Sequence, residues 1–372
     1  MRTFVKSKRV LAFRFSRHFP ASAAPKSIEN ICEAIGGVQA QVLSAAELMF
    51  RARLPNVTRE EIHAALWQKR SLVKTYALRS TLHLLTINDL PVFIAAMKSN
   101  RLAWMRNTLK HFDISAKEAR AMSDAVVTHL KDGPKTQPEL VKKILPGVSR
   151  NMKTWMDHSW SVFRQALVEG RICYGPNQGA KTTLALVDDW LDDFKEMNES
   201  AAQEILFQRF LKAYGPASLQ DFSRWTGLTM KEARAIHKRT KLSMLEVEFD
   251  GREGLLLEED FEPLTKTTFE KGVVRLLPSF DPYLLAHVDK SQYLNMDFYK
   301  RIYRPSAWLT PAILLDGRVI GCWPYKRKGK RLEVAIEPFE KLSKTALKKI
   351  ECGISSHAQF LGLEKDVVRP ER

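Results

Sequence analysis

The sequence predicts a mainly α fold with β hairpins, an α+β chain of three tandem winged-helix repeats closed by a mixed α/β region with a basic hairpin. Three observations predict it. Two Gly-Pro junctions introduce similar stretches, DGPKTQPEL at 132–140 and YGPASLQDF at 214–222. Hairpin patterns follow helical ones at a spacing of roughly 80 residues, the sign of a repeated unit. Lys and Arg outnumber Asp and Glu by 59 to 42 in 372 residues, a net charge of +17 that favours a polyanionic partner.

The first repeat is expected over 1–110. Its opening residues are basic (Arg2, Lys6, Lys8, Arg9, Arg14, Arg17) with no acid before Glu29, read as a first basic helix rather than a transit peptide. Helices over 27–36, 38–52 and 58–68 then precede LVKTYA and TLHLL, a hairpin-like pair. In the second repeat, 111–197, a helix over 116–131 ends at Gly133-Pro134, and Thr136 caps the next one. A helix over 153–169 and the pair RICYG and KTTLALV around Pro-Asn-Gln-Gly complete it. In the third, 198–265, Gly215-Pro216 ends a helix over 200–213 and Ser218 caps the next. The turn WTGLT, the basic helix MKEARAIHKR and the pair LSMLEVEF and GLLLEED about Asp250-Gly251 follow. Helix, helix, basic helix, hairpin is the order of a winged helix, whose third helix suits a major groove.

From 266 to 372 the pattern turns strand-rich, with a tight turn at Asp316-Gly317 and a basic helix over 341–351. Five cations in seven residues, Lys326, Arg327, Lys328, Lys330 and Arg331, surround Gly329 at a hairpin tip. Such a tip suits phosphates or a groove and is expected to touch DNA, as are Arg51 and Arg53.

The sequence also excludes chemistries. The cysteines (Cys32, Cys173, Cys322, Cys352) lack C-x-x-C spacing, which argues against zinc and a disulfide framework and fits a reducing cytosol. There is no H-x-x-x-H pair, phosphate-cradling Lys-Ser/Thr loop or Gly-x-Ser-x-Gly elbow. No metal, no cofactor and no membrane span are expected, and a metal-dependent nuclease is disfavoured.

One segment carries candidate chemistry: GGVQAQVLSAAELMFRAR at 36–53. A helix from Val38 places Val38, Val42, Ala45 and Met49 on one face. Gln39 and Gln41 would then sit about 200° apart, and share a site only at a distorted first turn. With ALRSTLHLL, LLPSFDPYLLAHVD and PAILLDGRVIGCW, the segment resembles the winged-helix family of AlkZ-like bacterial DNA glycosylases. The resemblance runs in order along nearly the whole chain. It implies three winged helices in a C-shape around DNA, and a Gln-aliphatic-Gln catalytic motif at Gln39, Ala40 and Gln41, with Ala40 small for its place. The implied reaction is monofunctional hydrolysis of the glycosidic bond of N7-alkylated purines, with bulky adducts and cross-links as candidates. A cationic purine leaves without a strong acid, and a glutamine can orient water against the sugar cation.

Arg79, Thr81 and His83 fall on alternate positions of R-S-T-L-H, one face of a strand that either lines the lesion site or is ordinary sheet. Asp281 before Pro282 reads as an Asx turn. His287 and Asp289 are weak candidates for DNA contact, and Trp225 and Trp308 read as core. The expected partner is double-stranded DNA with alkylated bases, bound by a monomer at the cytoplasmic nucleoid. The competing reading is a non-catalytic winged-helix DNA binder or transcriptional regulator, which has no use for two amides at that position.

Overall fold

A computed structural model describes residues 3–20, 27–158, 163–191 and 197–368. The chain forms two compact units, residues 1–62 with 208–372, and residues 63–207.

In the unit of residues 63–207, strands Leu72–Tyr76 and Leu82–Thr86 pair antiparallel, Leu72 opposite Thr86 and Tyr76 opposite Leu82. Lys74 pairs with Tyr174, joining them to the hairpin Ile172–Gln178 and Lys181–Leu186. The short strand Lys135–Thr136 pairs with Lys181–Leu186. Thr136 then starts the helix Gln137–Ile144, its amide donating to the Glu139 carboxylate at 2.7 Å. Ser115 and Glu118 form the same reciprocal cap for Ala116–Leu130. The helices bury Met105, Met122, Val126, Leu130, Leu140 and Trp155 against Ile172 and Leu184 of the hairpin. The helix expected over 153–169 is two pieces, Arg150–His158 and Arg164–Val168, with 159–162 outside the described residues.

In the other unit, the basic N-terminal helix Ser7–His18 lies against the hairpin Met244–Phe249 and Arg252–Leu257. Val10, Phe13, Val247, Phe249, Leu256 and Leu264 form their common core. Asp250 (φ 46°) and Gly251 (φ 69°) are both left-handed, the geometry of a two-residue turn that matches strand twist. Asp316 (φ 48°) and Gly317 (φ 77°) repeat it between Ala312–Leu315 and Arg318–Cys322. Before the first hairpin stand Leu219–Thr226, capped by Ser218 and Asp221, and the basic helix Met230–Arg239, capped by Thr229 and Glu232.

The C-terminal sheet runs Val274–Leu277, Ala312–Leu315, Arg318–Cys322 and Glu337–Pro338, all antiparallel. The basic hairpin Tyr325–Lys328 and Arg331–Ala335 is joined in parallel by Glu364–Val368. The C-terminal helix is Lys344–Phe360, longer than the expected 341–351 and capped by Ser343. It keeps Gly353 because a Cβ there would sit 2.9 Å from Leu276. Ile350 and Ile354 of this helix share a core with Leu48, Leu276, Ile313 and Trp323.

The helix expected from Val38 begins at Leu43 instead, and Val38–Gln39 is a short strand. The physical reason lies in the residues around it. Gly36 (φ 67°) and Gly37 (φ 92°) turn the chain left-handed after the helix Ile28–Ala34, and Gly37 donates to the Cys32 carbonyl at 2.8 Å. Val42 remains extended (φ −118°, ψ 110°) and offers no side-chain cap. Gly36 is required twice, by its positive φ and by the Trp225 ring, 2.7 Å from where a Cβ would be.

Gly36→Ala is expected to cost more than about 1 kcal/mol, since it adds both strain and overlap. Denaturant unfolding that leaves the midpoint unchanged would show that this turn does not constrain the segment behind it.

Candidate active site and DNA interface

Gln39 is buried at 8% exposure on its short strand, and Gln41 is exposed two residues further on. A short strand carries Gln39 and the bend after it carries Gln41, so neither amide sits in a helical first turn. Glutamine neither gains nor loses a proton at neutral pH, so either amide can orient a partner through hydrogen bonds but cannot transfer a proton. Glu47, on the helix that follows, is buried and paired with Arg59 at 2.8 Å.

The helix Leu43–Arg51 and the residues after it hold two arginines expected on DNA. Arg51 is half-buried, donates to Ser356 Oγ at 2.6 Å and lies 5.9 Å from the Phe360 ring. Arg53 is a correction. Its side chain is fully buried, bidentate on Asp281 at 2.8 Å and 2.8 Å, and donates to the Met49 carbonyl at 3.0 Å. A phosphate contact would require breaking that pair, so Arg53 holds the fold and does not face DNA. Asp281 also accepts from the Tyr283 amide at 3.0 Å, the Asx turn anticipated from Asp-Pro.

A cleft of about 690 Å³ opens beside Val42, Ser44 and Ala45, with Arg301, Arg304 and Trp308 also on its walls. Trp308 is the second correction: expected in the core, it is 49% exposed and stands edge-to-face on Phe280, centroids 5.0 Å apart. Ser306 (φ 58°) and Ala307 (φ 57°) are left-handed non-glycine residues just before it, a backbone that costs energy unless the surroundings hold it. Arg301 pairs with Glu337 at 2.8 Å, while Arg304 is exposed with no ion pair among the described residues. Arg301 and Arg304 were not singled out by sequence reasoning, and the only signal available was the cationic, aromatic stretch RIYRPSAW at 301–308. Trp225 is buried, as read.

The hairpin cations Lys326, Arg327, Lys328, Lys330 and Arg331 are all exposed. Lys326 and Lys328 share Glu333 at 3.0 and 3.1 Å, and Arg331 is 3.8 Å from Glu364. Arg327 and Lys330 have no ion pair among the described residues, which leaves them available to phosphates. His287 is buried, and Asp289 is tied to Arg252 at 2.5 Å.

Arg79, Thr81 and His83 belong to the unit of residues 63–207. They do not form one strand face. Arg79 sits in the turn before the strand with φ 53°, Thr81 donates to the Leu78 carbonyl at 3.0 Å, and only His83 lies on the strand. The local reason is the turn itself: Arg79 and Ser80 are both left-handed, so alternation begins after them. His83 is 2% exposed, and burial, with the charges of Arg79 and Arg101, pushes its pKa down to about 3. It is neutral at pH 7 and cannot serve there as a cationic acid.

The chain resembles the solved structure of the Streptomyces sahachiroi DNA glycosylase AlkZ, with a TM-score of 0.84 and 27% identity over 99% of this chain and 100% of that one. It is 28% identical over 371 residues to the interstrand DNA cross-link repair glycosylase of Streptomyces sahachiroi, covering 97% of this chain and 98% of that relative. Fold and likeness together define a DNA repair glycosylase, a hydrolase of N-glycosyl bonds. The family model described as DNA glycosylase AlkZ-like matches residues 32–360, and the chain belongs to that family.

The buried histidines make stability depend on pH. Burial lowers His287 and His357 to about 4 and His83 to about 3, and lowers His18 well below its ordinary value. Each stays neutral in the fold while its unfolded counterpart binds a proton near about pH 6.5. Below that pH the unfolded chain holds more protons, so stability falls as pH drops, by up to about 1.4 kcal/mol per unit per histidine until the folded group titrates. Melting temperature is expected to decline steadily from pH 7 to pH 5 at constant salt. A flat profile would contradict neutral burial.

Arg53→Ala is expected to lose about 3–5 kcal/mol, because Asp281 is left charged, buried and alone. Equilibrium unfolding of the single and double variants (with Asp281→Asn) measures it, and additive losses would show that the pair is not coupled.

Proposed function

We propose that the protein excises N7-alkylated purines from double-stranded DNA, bulky adducts and interstrand cross-links included, with Gln39 and Gln41 positioning the attacking water. The observation that carries the reading is a pair of amides on the short strand and the bend just before the helix Leu43–Arg51, whose own carboxylate, Glu47, is paired with Arg59. The cross-link repair for which the Streptomyces relative is named supports extending the substrate range to tethered bases.

N7 alkylation makes the purine cationic, so the bond between C1′ and N9 breaks with the electron pair leaving on a base that becomes neutral. Positive charge develops on the sugar. A glutamine carbonyl accepts a hydrogen bond from water and turns its dipole toward that charge, while its amide fixes the side chain. The water oxygen bonds to C1′, its proton passes to solvent, and an abasic site and a neutral alkylated purine remain. No lysine adduct is formed, so the strand stays intact until treated with alkali.

The finer architecture belongs to the same proposal. Residues 1–110, 111–197 and 198–265 are three winged helices, and 266–372 presents the basic hairpin to the duplex. Support comes from a hairpin behind helices in each stretch and from the reciprocal caps at Thr136 and Ser218 that open equivalent helices. Three such modules on one chain replace the dimer that a palindrome reader needs, so the enzyme acts as a monomer on nucleoid DNA in the cytoplasm. Arg327, Lys330 and their neighbours bind phosphates.

Incubation with a duplex carrying one N7-methylguanine, followed by alkali and gel analysis, tests the reaction. Wild type is expected to yield alkali-dependent scission. Gln39→Ala and Gln41→Ala are each expected to slow it by about 10² or more, the loss seen when one preoriented dipole is removed. Full activity in the double variant would overturn the assignment of the site. Scission only of a cross-linked duplex would narrow the substrate.

A further inference from the structure

The glycine turn in front of Gln39 is fastened from far along the chain. The helix Ile28–Ala34 closes on itself, Gly37 donating to the Cys32 carbonyl at 2.8 Å and Gly36 to the Glu33 carbonyl at 3.1 Å, with Gly36 left-handed. Those two bonds satisfy Cys32 and Glu33 but not the carbonyl of buried Ile35, the last residue before the turn. It accepts from the Tyr214 hydroxyl at 2.6 Å, 179 residues away in sequence. Trp225 lays its ring against Gly36, one ring carbon standing 2.7 Å from where a Cβ would be. Two aromatic side chains therefore hold two consecutive residues of one turn.

Both are well anchored. Tyr214 ends the helix Glu199–Tyr214, Trp225 belongs to Leu219–Thr226, and each is almost fully buried. The Tyr214 ring centroid lies 5.8 Å from that of Trp225, 5.5 Å from Phe210 and 5.1 Å from His18. What they hold is the phase of the chain that follows. Val38 and Ala40 have no exposure, while Gln39 between them keeps 8%. Neighbouring residues of a strand take opposite faces, so a slip of one residue would turn Gln39 into the core. Behind the amides the chain has its own fixture in Arg53 on Asp281. Ahead of them the fixture is Tyr214 and Trp225.

We propose that Tyr214, through its hydroxyl on Ile35, and Trp225, through its ring on Gly36, are positioning residues for excision that act through Gln39. The inference rests on the reading of Gln39 and Gln41 as the water-positioning amides. Neither aromatic touches DNA or water in this role. A phenylalanine at 214 fills the same space and lacks only the one hydrogen bond, so Tyr214→Phe isolates the bond from the packing. Loss of that bond lets the turn drift, and a displacement of about 1 Å in an orienting group costs up to about 10² in rate.

Single-turnover excision of N7-methylguanine and fluorescence anisotropy of the same duplex test the inference in wild type, Tyr214→Phe, Gln39→Ala and the variant carrying both changes. Tyr214→Phe is expected to slow excision about ten-fold or more while duplex affinity stays at the wild-type value. Added to Gln39→Ala, it is expected to slow the residual reaction no further, because the group it positions is already gone. Trp225→Phe, which withdraws the ring from Gly36, should show the same two features. Melting curves establish that each variant is folded, and either aromatic variant alone carries the comparison. A slow Gln39→Ala beside wild-type rates for Tyr214→Phe and Trp225→Phe would overturn the positioning role and leave the site standing. Losses that multiply in the combined variant, or that weaken duplex binding equally, would overturn it too, since a general structural defect behaves that way. Gln39→Ala at full rate would overturn the site and the positioning role together.

Discussion

The buried pair of Arg53 and Asp281 is the constraint on which the unit of residues 1–62 and 208–372 depends. Both side chains are fully removed from water, and the cost of stripping two charges is met only by near-complete satisfaction. Two bonds of 2.8 Å join them, the Met49 carbonyl and the Tyr283 amide take further positions, and the Phe19 ring lies 4.6 Å from the guanidinium. Geometrically, the pair pins the end of the helix that follows the glutamine segment to the turn at Phe280-Asp281-Pro282. Phe280 in turn supports Trp308. One interaction therefore fixes the register of the amides and the backing of the cleft.

A few of the cations serve structure instead. Arg14 is buried, donates to the Pro216 carbonyl and to Gln292, and burial lowers its pKa to about 10. Arg101 caps the Tyr76 and Ala77 carbonyls in the other unit, and burial likewise lowers it to about 10. Both remain charged at neutral pH, since about 10 lies three units above it. A net charge of +17 thus overstates the charge at the surface, and a short exposed stretch such as 326–331 concentrates more of it than its length suggests.

What was legible in the sequence was local. Asp250-Gly251 and Asp316-Gly317 announced their turns because left-handed backbone has few tenants, and Thr136 and Ser218 announced caps because an oxygen there meets unpaired amides. The Gln-Ala-Gln segment was found by resemblance, but its backbone was misread as helix because Val38, Val42, Ala45 and Met49 fit helical spacing. The two preceding glycines, not that spacing, decide where the helix starts. Arg53 was expected on DNA, and the partner that buries it, Asp281, lies 228 residues away. Trp308 was placed in the core by residue type alone. Its exposure follows from the turn at Ser306 and Ala307, whose left-handed backbone no composition rule predicts.

The proposed chemistry and the observed construction share one logic. A hydrolase that used a carboxylic acid would need a group with a tuned proton affinity in its site, and burial near arginines works against that. Here two buried acids, Glu47 and Asp281, are paired with Arg59 and Arg53, and the buried histidines His83 and His287 are driven neutral. Two amides that need no titration are compatible with such surroundings. They are sufficient only for a leaving group that already carries its positive charge, because then the dipole has to stabilise the sugar cation and hold a water, with no proton to deliver. The proposed substrate class is consistent with such a site: a neutral base would need an acid, and Gln39 and Gln41 supply none.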